Sequence, residues 1–266
     1  MGRIAILGGG VMGETLLKTL VAAGQKPGSI TVAEKSTERA EALRATHGVE
    51  VTDSRSAVTD ADIVFIVVKP QDVSDLLDEI ADVLRPDGIL ASFAAGVRIE
   101  RIESAVAAGT PVIRIMPNTP AVVGEGMFGA SPGAACSDEQ LSVLGDLLAA
   151  GGKFLVVEEK HQDALTAVSG SGPAYVFYLA EAMIAGGVEA GLDAETAREL
   201  TTQTILGAAK LLAESDEDAA ELRRRVTSPN GTTAAAIAAF DDRDVKGAIA
   251  DGVVAAARRS AELSGG

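Results

Sequence analysis

The chain of 266 residues is 47% hydrophobic, enough apolar material to build a core without disulfides or a structural metal. A formal net charge of -15, with six Phe, two Tyr and no Trp, excludes a phosphate-backbone binder and leaves little for base stacking or a membrane-interface belt. A lone cysteine, Cys136, and two histidines far apart in sequence, His47 and His161, exclude a disulfide framework and predict no metal site.

Taken in chain order, the first half alternates short β-branched runs with amphipathic or Ala/Leu-rich segments, the pattern of a parallel sheet covered by helices. The first run, Ile4 to Leu7, ends at three glycines and is too short for a secretion signal or a membrane span, so a reducing cytoplasm is the expected setting. Strands are predicted at Arg3–Leu7, Ser29–Glu34, Val49–Val51, Asp62–Val67, Gly88–Phe93, Pro111–Ile115, Gly126–Ala130 and Lys153–Val157. Helices are predicted at Val11–Ala23, Ser36–His47, Gln71–Leu84, Ile99–Ala107 and Ser137–Ala150, several opened by Ser or Thr caps. After Glu159 the strand-like runs stop. The remainder reads as helices with apolar residues at i, i+3 and i+4: Ala174–Ala190, Ala194–Ala213, Ala219–Val226, Thr232–Phe240 and Val245–Leu263. The organisation predicted is an α/β doubly wound domain over residues 1–160 and an all-helical domain over 161–266, with no flexible linker between them.

The spacing Gly8-x-Gly10-x-x-Gly13 follows the first strand and opens the first helix, the context that a dinucleotide fingerprint requires. Gly8 allows the tight turn, Gly10 lets backbone approach a pyrophosphate, and Gly13 lets helix and strand pack closely, while Val11 and Met12 start the helix whose N-terminus faces the anion. This makes the first domain Rossmann-type. Glu34 stands at the end of the second strand, about 20 residues beyond the last glycine, where an acid takes the ribose 2′-hydroxyl of NADH. Lys35, Ser36 and Arg39 follow at the start of the next helix, where the 2′-phosphate of NADPH could find a cation, a hydroxyl and backbone donors, so both cofactors stay open. Val68-Lys69-Pro70 and Ala94-Ala95-Gly96 lie at further strand ends, on the edge where ligands bind in open α/β sheets.

Three other segments are dense in hydroxyls and turn formers: Arg114-Ile-Met-Pro-Asn-Thr-Pro120, Val168-Ser-Gly-Ser-Gly-Pro-Ala-Tyr175 and Val226-Thr-Ser-Pro-Asn-Gly-Thr-Thr233. The last two interrupt an otherwise helical region, and each precedes a helix, so free backbone N–H groups and hydroxyls could hold a small carboxylate there; helix capping alone would explain them as well.

In order along the chain, GGGVMG, VVKPQ, AAG, RIMPNTP, VSGSGPAY and VTSPNGTT resemble the pyrroline-5-carboxylate reductase family, the last enzymes of proline biosynthesis. The resemblance implies a helical dimerisation domain after the Rossmann domain, a homodimer, and a higher assembly such as a decamer of five dimers. It places cofactor contacts on Ile6 to Gly13, Ser54, Val67 to Pro70 and Ala94 to Gly96, with Asn118 near the nicotinamide. Substrate contacts fall on Ser228 and on Gly231, Thr232 and Thr233, with Ser171 and Pro173 supporting the pocket. Where the family usually reads Ser-Pro-Gly-Gly-Thr-Thr, this chain has Asn230 as the third residue, and Asn is the type that best replaces glycine in a left-handed turn.

The chemistry implied is hydride transfer from reduced NADPH or NADH to a cyclic C=N carbon, which needs alignment more than an acid–base pair, and Thr233 is the residue expected to orient the ring nitrogen. Two rivals remain in view. β-Hydroxyacid dehydrogenases share the two-part plan but resemble a pattern with a lysine proton donor, and here no Lys follows Ser171-Gly172 until Lys210. A nucleotide-sensing binding protein without turnover is the other.

Overall fold

The computed structural model describes residues 2–265. Its strands are β1 (Ile4–Leu7), β2 (Ile30–Ala33), β3 (Glu50–Thr52), β4 (Ile63–Ile66), β5 (Ile89–Ser92), β6 (Val112–Met116), β7 (Gly126–Pro132) and β8 (Gly152–Val156). Its α-helices are α1 (Val11–Ala22), α2 (Thr37–His47), α3 (Ser54–Val58), α4 (Val73–Ile80), α5 (Ile99–Glu103), α6 (Asp138–Leu148), α7 (Gln162–Leu165), α8 (Gly172–Glu189), α9 (Ala194–Glu214), α10 (Ala219–Arg225), α11 (Thr232–Asp241) and α12 (Val245–Leu263).

The strands form one sheet in the order β3-β2-β1-β4-β5-β6-β7-β8. The first six are parallel in the order 3-2-1-4-5-6 of a dinucleotide-binding fold, whose strand order reverses direction beside β1 and so opens a crevice at the carboxyl ends. β7 departs from the parallel sheet predicted, pairing antiparallel with β6. The connection over residues 117–125 holds only a short 3-10 helix, Thr119–Val123, and is too short for a crossover. α6 then provides a crossover, and β8 returns parallel to β7.

Alternation along the strands explains why helices cover both faces. In β1 and β4 the side chains of Ile4, Ile6, Ile63 and Phe65 enter the core beneath α1, while Ala5, Leu7, Val64 and Ile66 enter the core beneath α3, α4 and α5. Phe65 is fully buried and meets the ring of Phe93 edge-on at 5.8 Å, an arrangement that aromatic quadrupoles favour.

The helix predicted over Gln71–Leu84 begins as a 3-10 turn, Pro70–Asp72, and continues as the shorter α4, because the proline sets the first turn and Asp72 lies at the junction. The helix predicted over Ile99–Ala107 ends at Glu103. α3, not predicted, is capped by Asp53, whose carboxylate accepts the Ser56 N–H at 2.9 Å.

The structure divides into two compact units: residues 1–171 with 256–266, and residues 172–255. After β8 the chain is helical, and packing places residues 159–171 in the first unit. Gln162, fully buried, donates from Nε2 to the Gly129 carbonyl at 3.0 Å and to Ser131 Oγ at 2.9 Å. Gly129 leaves room for the Leu165 side chain that a Cβ would strike. The end of α12 belongs to the first unit too, its Ser260 hydroxyl donating to Asp163 at 2.6 Å.

In the second unit α8 and α9 form an antiparallel hairpin that turns at Gly191 (φ +108°). Gly187 lets the two helices approach, since a Cβ there would lie 3.2 Å from that of Ala197, whereas a Cβ on Gly186 would meet open space.

Candidate active site

Every cofactor residue expected in the first domain lies at the carboxyl edge of the parallel strands. The glycine turn follows β1, Glu34 and Lys35 follow β2, Ser54 follows β3, Val68, Lys69 and Pro70 follow β4, Ala95 and Gly96 follow β5, and Asn118 follows β6. A cleft of about 410 Å³ opens on this edge, lined among others by Leu7, Gly8, Glu34, Lys35, Ser54 and Val68. Lys69, Pro70, Ala95, Gly96 and Asn118 share the edge but not that cleft.

The glycines do what their spacing required. Gly8 sits at φ +113°, with its α-carbon so close to the β4 exit that a Cβ would lie 3.0 Å from the Val67 carbonyl. A Cβ on Gly13 would fall 1.9 Å from the Gly8 carbonyl oxygen, so only glycine lets α1 start against the turn. Gly10 has open space above it, and α1 has no side-chain cap on its first N–H groups, which leaves the backbone bare where a pyrophosphate would rest. The bare turn, the cleft and the strand-end position together fit a dinucleotide.

Behind the turn lies a charge cluster that motif spacing did not reveal. Glu34 accepts the Gly9 N–H at 3.0 Å and the Ser36 N–H at 2.8 Å. Arg39 donates from Nε to the Gly9 carbonyl at 2.7 Å and from Nη2 to Glu14 at 2.6 Å. Glu14 also meets His47 and Lys18, each at 3.0 Å, and the hydrogen bonds from His47, Arg39 and Lys18 hold its carboxyl down to about 2 from 4.5. The Gly9 peptide is thus gripped on both sides, its N–H by an acid and its carbonyl by a base. A Cβ on Gly9 would meet the Leu43 side chain at 2.6 Å and Glu34 at 3.0 Å, so a larger residue here would have to displace those side chains.

Asn118 is held by its neighbours. Its Oδ1 accepts the Met127 N–H at 2.8 Å, and its Nδ2 donates to Ser169, at 3.2 Å to the carbonyl and 3.3 Å to the hydroxyl. Ser169 lies in a π-helical turn, Thr166–Gly170, closed by the Ser171 N–H donating to the Thr166 carbonyl at 2.8 Å. Such a turn widens the helix by one residue per bond and is frequent at functional sites. The buried Arg114 sits nearby in the chain, paired with Glu159 at 3.1 Å, and Glu159 also accepts the Ile99 N–H at 2.8 Å. These are scaffold contacts that no short motif announces.

In the second unit, Ser228 to Gly231 make the turn that opens α11. Asn230 takes φ +58°, the left-handed conformation its position requires, and the Gly231 N–H donates to the Ser228 carbonyl at 3.0 Å. A Cβ on Gly231 would lie 2.5 Å from Ser228 Oγ and 3.1 Å from its carbonyl oxygen, so a larger residue would have to displace the Ser228 hydroxyl. Gly231 is the N-cap and supplies no capping side chain, so the first-turn N–H groups of Thr232, Thr233 and Ala234 have no side-chain cap, and Thr233 carries a hydroxyl in the same turn. That is a donor set for a small carboxylate. No group of three or more His, Cys, Asp or Glu side chains suited to a metal occurs among the described residues.

Comparison with known proteins bears on both halves. Residues 159–263 match the family model for pyrroline-5-carboxylate reductase dimerisation, and residues 3–96 match that described as NADP oxidoreductase, coenzyme F420-dependent. A pyrroline-5-carboxylate reductase of Corynebacterium melassecola is 42% identical over 267 residues, covering 99% of each chain. The chain belongs to the pyrroline-5-carboxylate reductase family. A solved family structure from Coxiella burnetii superposes with a TM-score of 0.93 at 33% identity, covering 99% of this chain and 98% of that one. A second, from Plasmodium falciparum with NADP bound, gives 0.88 at 27% identity, covering 98% of each. The family match accounts for the outer surface of α8, where Phe177 (62% exposed), Tyr178 (76%) and Leu179 (50%) lie open in the single chain: such a helix needs a partner surface. No helix among the described residues is long and apolar enough to cross a membrane.

Proposed function

We propose that the chain reduces 1-pyrroline-5-carboxylate to L-proline with a nicotinamide cofactor. The observation that carries this reading is the convergence of six strand-end loops on one edge, around a bare glycine turn, in a chain alike over its whole length to reductases of that name. The bound cofactor supplies a hydride from its reduced nicotinamide ring to the C=N carbon. The chain's own residues bind and align. Gly10 to Gly13 offer the pyrophosphate backbone N–H groups at the start of α1, while Ser54 and Val68 wall the cleft.

Thr232, Thr233 and Ala234 hold the substrate carboxylate on first-turn N–H groups, and the Thr233 hydroxyl orients the ring nitrogen. Ser228 fixes the turn. A protonated imine brings its own proton to the nitrogen, so hydride arrival completes the amine and no side-chain acid is needed. This suits a chain whose titratable groups at the glycine turn are spent on one another. The working form is a dimer through the apolar face of α8, further assembled as a decamer of five dimers, acting in the cytoplasm.

Purified protein is expected to oxidise NADH or NADPH only when pyrroline-5-carboxylate is added. No substrate-dependent oxidation with either cofactor would refute the proposal.

A further inference from the structure

We infer that Glu34 selects NADH over NADPH, because the Arg39 guanidinium at the start of α2 is committed to the glycine turn and acids dominate the cleft lining. The inference rests on the reductase reading and names its reductant. Discrimination between these cofactors takes place at the end of β2 and the start of α2, where an acid accepts the ribose 2′-hydroxyl or cations receive the 2′-phosphate.

Two of the candidate phosphate donors, the Arg39 guanidinium and the Ser36 N–H, are occupied. Arg39 gives Nε to the Gly9 carbonyl and Nη2 to Glu14, so turning it toward a phosphate would break two contacts and leave the Glu14 carboxylate short of a partner. The Ser36 N–H is spent on Glu34, and the Ser36 hydroxyl oxygen accepts the Arg39 N–H at 3.3 Å as the cap of α2. Of the two cations lining the cleft, Arg44 donates to the Val51 carbonyl at 2.6 Å, which leaves Lys35 as the one without an ion pair or hydrogen bond among the described residues. Lys35 is exposed, and an exposed ammonium adds little.

The acids point the same way. Glu34 is fixed by two backbone N–H groups, and a carboxylate has lone pairs left for the two ribose hydroxyls. Asp53, Asp72, Asp75 and Glu79 line the same cleft. A phosphate dianion entering it meets like charge on most sides, a cost that a hydroxyl avoids. Arg39 therefore acts as a positioning residue for the turn, although its place at the start of α2 would suit a phosphate.

The test is isothermal titration of the full-length protein with NADH and with NADPH, together with kcat/KM for each. NADH is expected to be favoured at least about tenfold, equivalent to about 1.4 kcal/mol. Glu34→Gln keeps the shape and removes the charge, and is expected to lower the NADH-to-NADPH affinity ratio at least about tenfold. Glu34 also supports Gly9, so a merely structural role would weaken both cofactors together and leave the ratio unmoved. That result would overturn the inference. NADPH binding as well as NADH to the wild type would overturn it too, and that comparison holds even where Glu34→Gln fails to fold. Either outcome leaves the reductase reading intact if pyrroline-5-carboxylate is still turned over, whereas binding of neither cofactor removes both.

Discussion

Glu14 is the residue whose removal tests the charge cluster most directly. It sits on the first turn of α1 with Arg39, His47 and Lys18 around it, and these lower its carboxyl to about 2 from an ordinary 4.5. A folded value below the unfolded one means that the stabilisation is fully present above 4.5 and is lost as pH falls from there toward 2. At about 1.4 kcal/mol per pH unit the displacement corresponds to about 3 kcal/mol. The side chain is 22% exposed, and solvent screening brings the expectation to about 2 kcal/mol. Glu14→Gln removes the charge at nearly constant shape. It is expected to lose about 2 kcal/mol in urea unfolding at neutral pH, measured at one protein concentration because the assembled chain unfolds with dissociation. The wild type should also lose stability on acidification between 4.5 and 2 more steeply than the variant. A loss below about 0.5 kcal/mol with an unchanged acid slope would refute the cluster's role.

Gly13→Ala is expected to abolish cofactor binding, because its Cβ would sit 1.9 Å from the Gly8 carbonyl oxygen and the turn cannot open without leaving its β4 contact; titration with either cofactor checks this, and near-normal affinity would refute it. Thr233→Ala should leave cofactor affinity unchanged while lowering kcat/KM for pyrroline-5-carboxylate roughly tenfold or more, the signature of a group that meets substrate alone. Leu179→Arg, on the open face of α8, should convert the assembly to monomers in sedimentation velocity while the far-ultraviolet circular dichroism of the chain stays helical.

The positions of all strands were legible because buried parallel strands appear as short β-branched runs between turn residues, and that signal is local. Sheet direction was not. The residues of β7 do not mark its direction, and the shortness of the connection over 117–125 makes it antiparallel to β6. The packing boundary was illegible for a related reason. Gln162 looks like a surface residue in sequence, yet it is buried against Gly129 and Ser131, contacts more than thirty residues distant that hold 159–171 to the sheet. The left-handed turn at Asn230 was expected from the family resemblance, in which a glycine stands at this position and Asn can take its place, and its φ of +58° agrees.

The candidate site shows where such reading stops. The fingerprint glycines locate the pyrophosphate turn because their requirement is local and steric. Gly9 lies between them with no assigned role in the pattern, yet its peptide is the point at which α2 grips the turn, through Glu34 on one side and Arg39 on the other. Arg39 and Glu14 are twenty-five residues apart in the chain and meet at 2.6 Å only because β2 returns beside β1. In sequence Arg39 is a cation near a candidate 2′-phosphate site; in the fold its charge faces Glu14 and the Gly9 carbonyl. Cofactor choice therefore depends on which nearby charges remain unspent once the turn has been built. The charge lining the cleft is chiefly acidic, with Glu34, Asp53, Asp72, Asp75 and Glu79 against Lys35 and Arg44, and a hydroxyl fits it better than a phosphate.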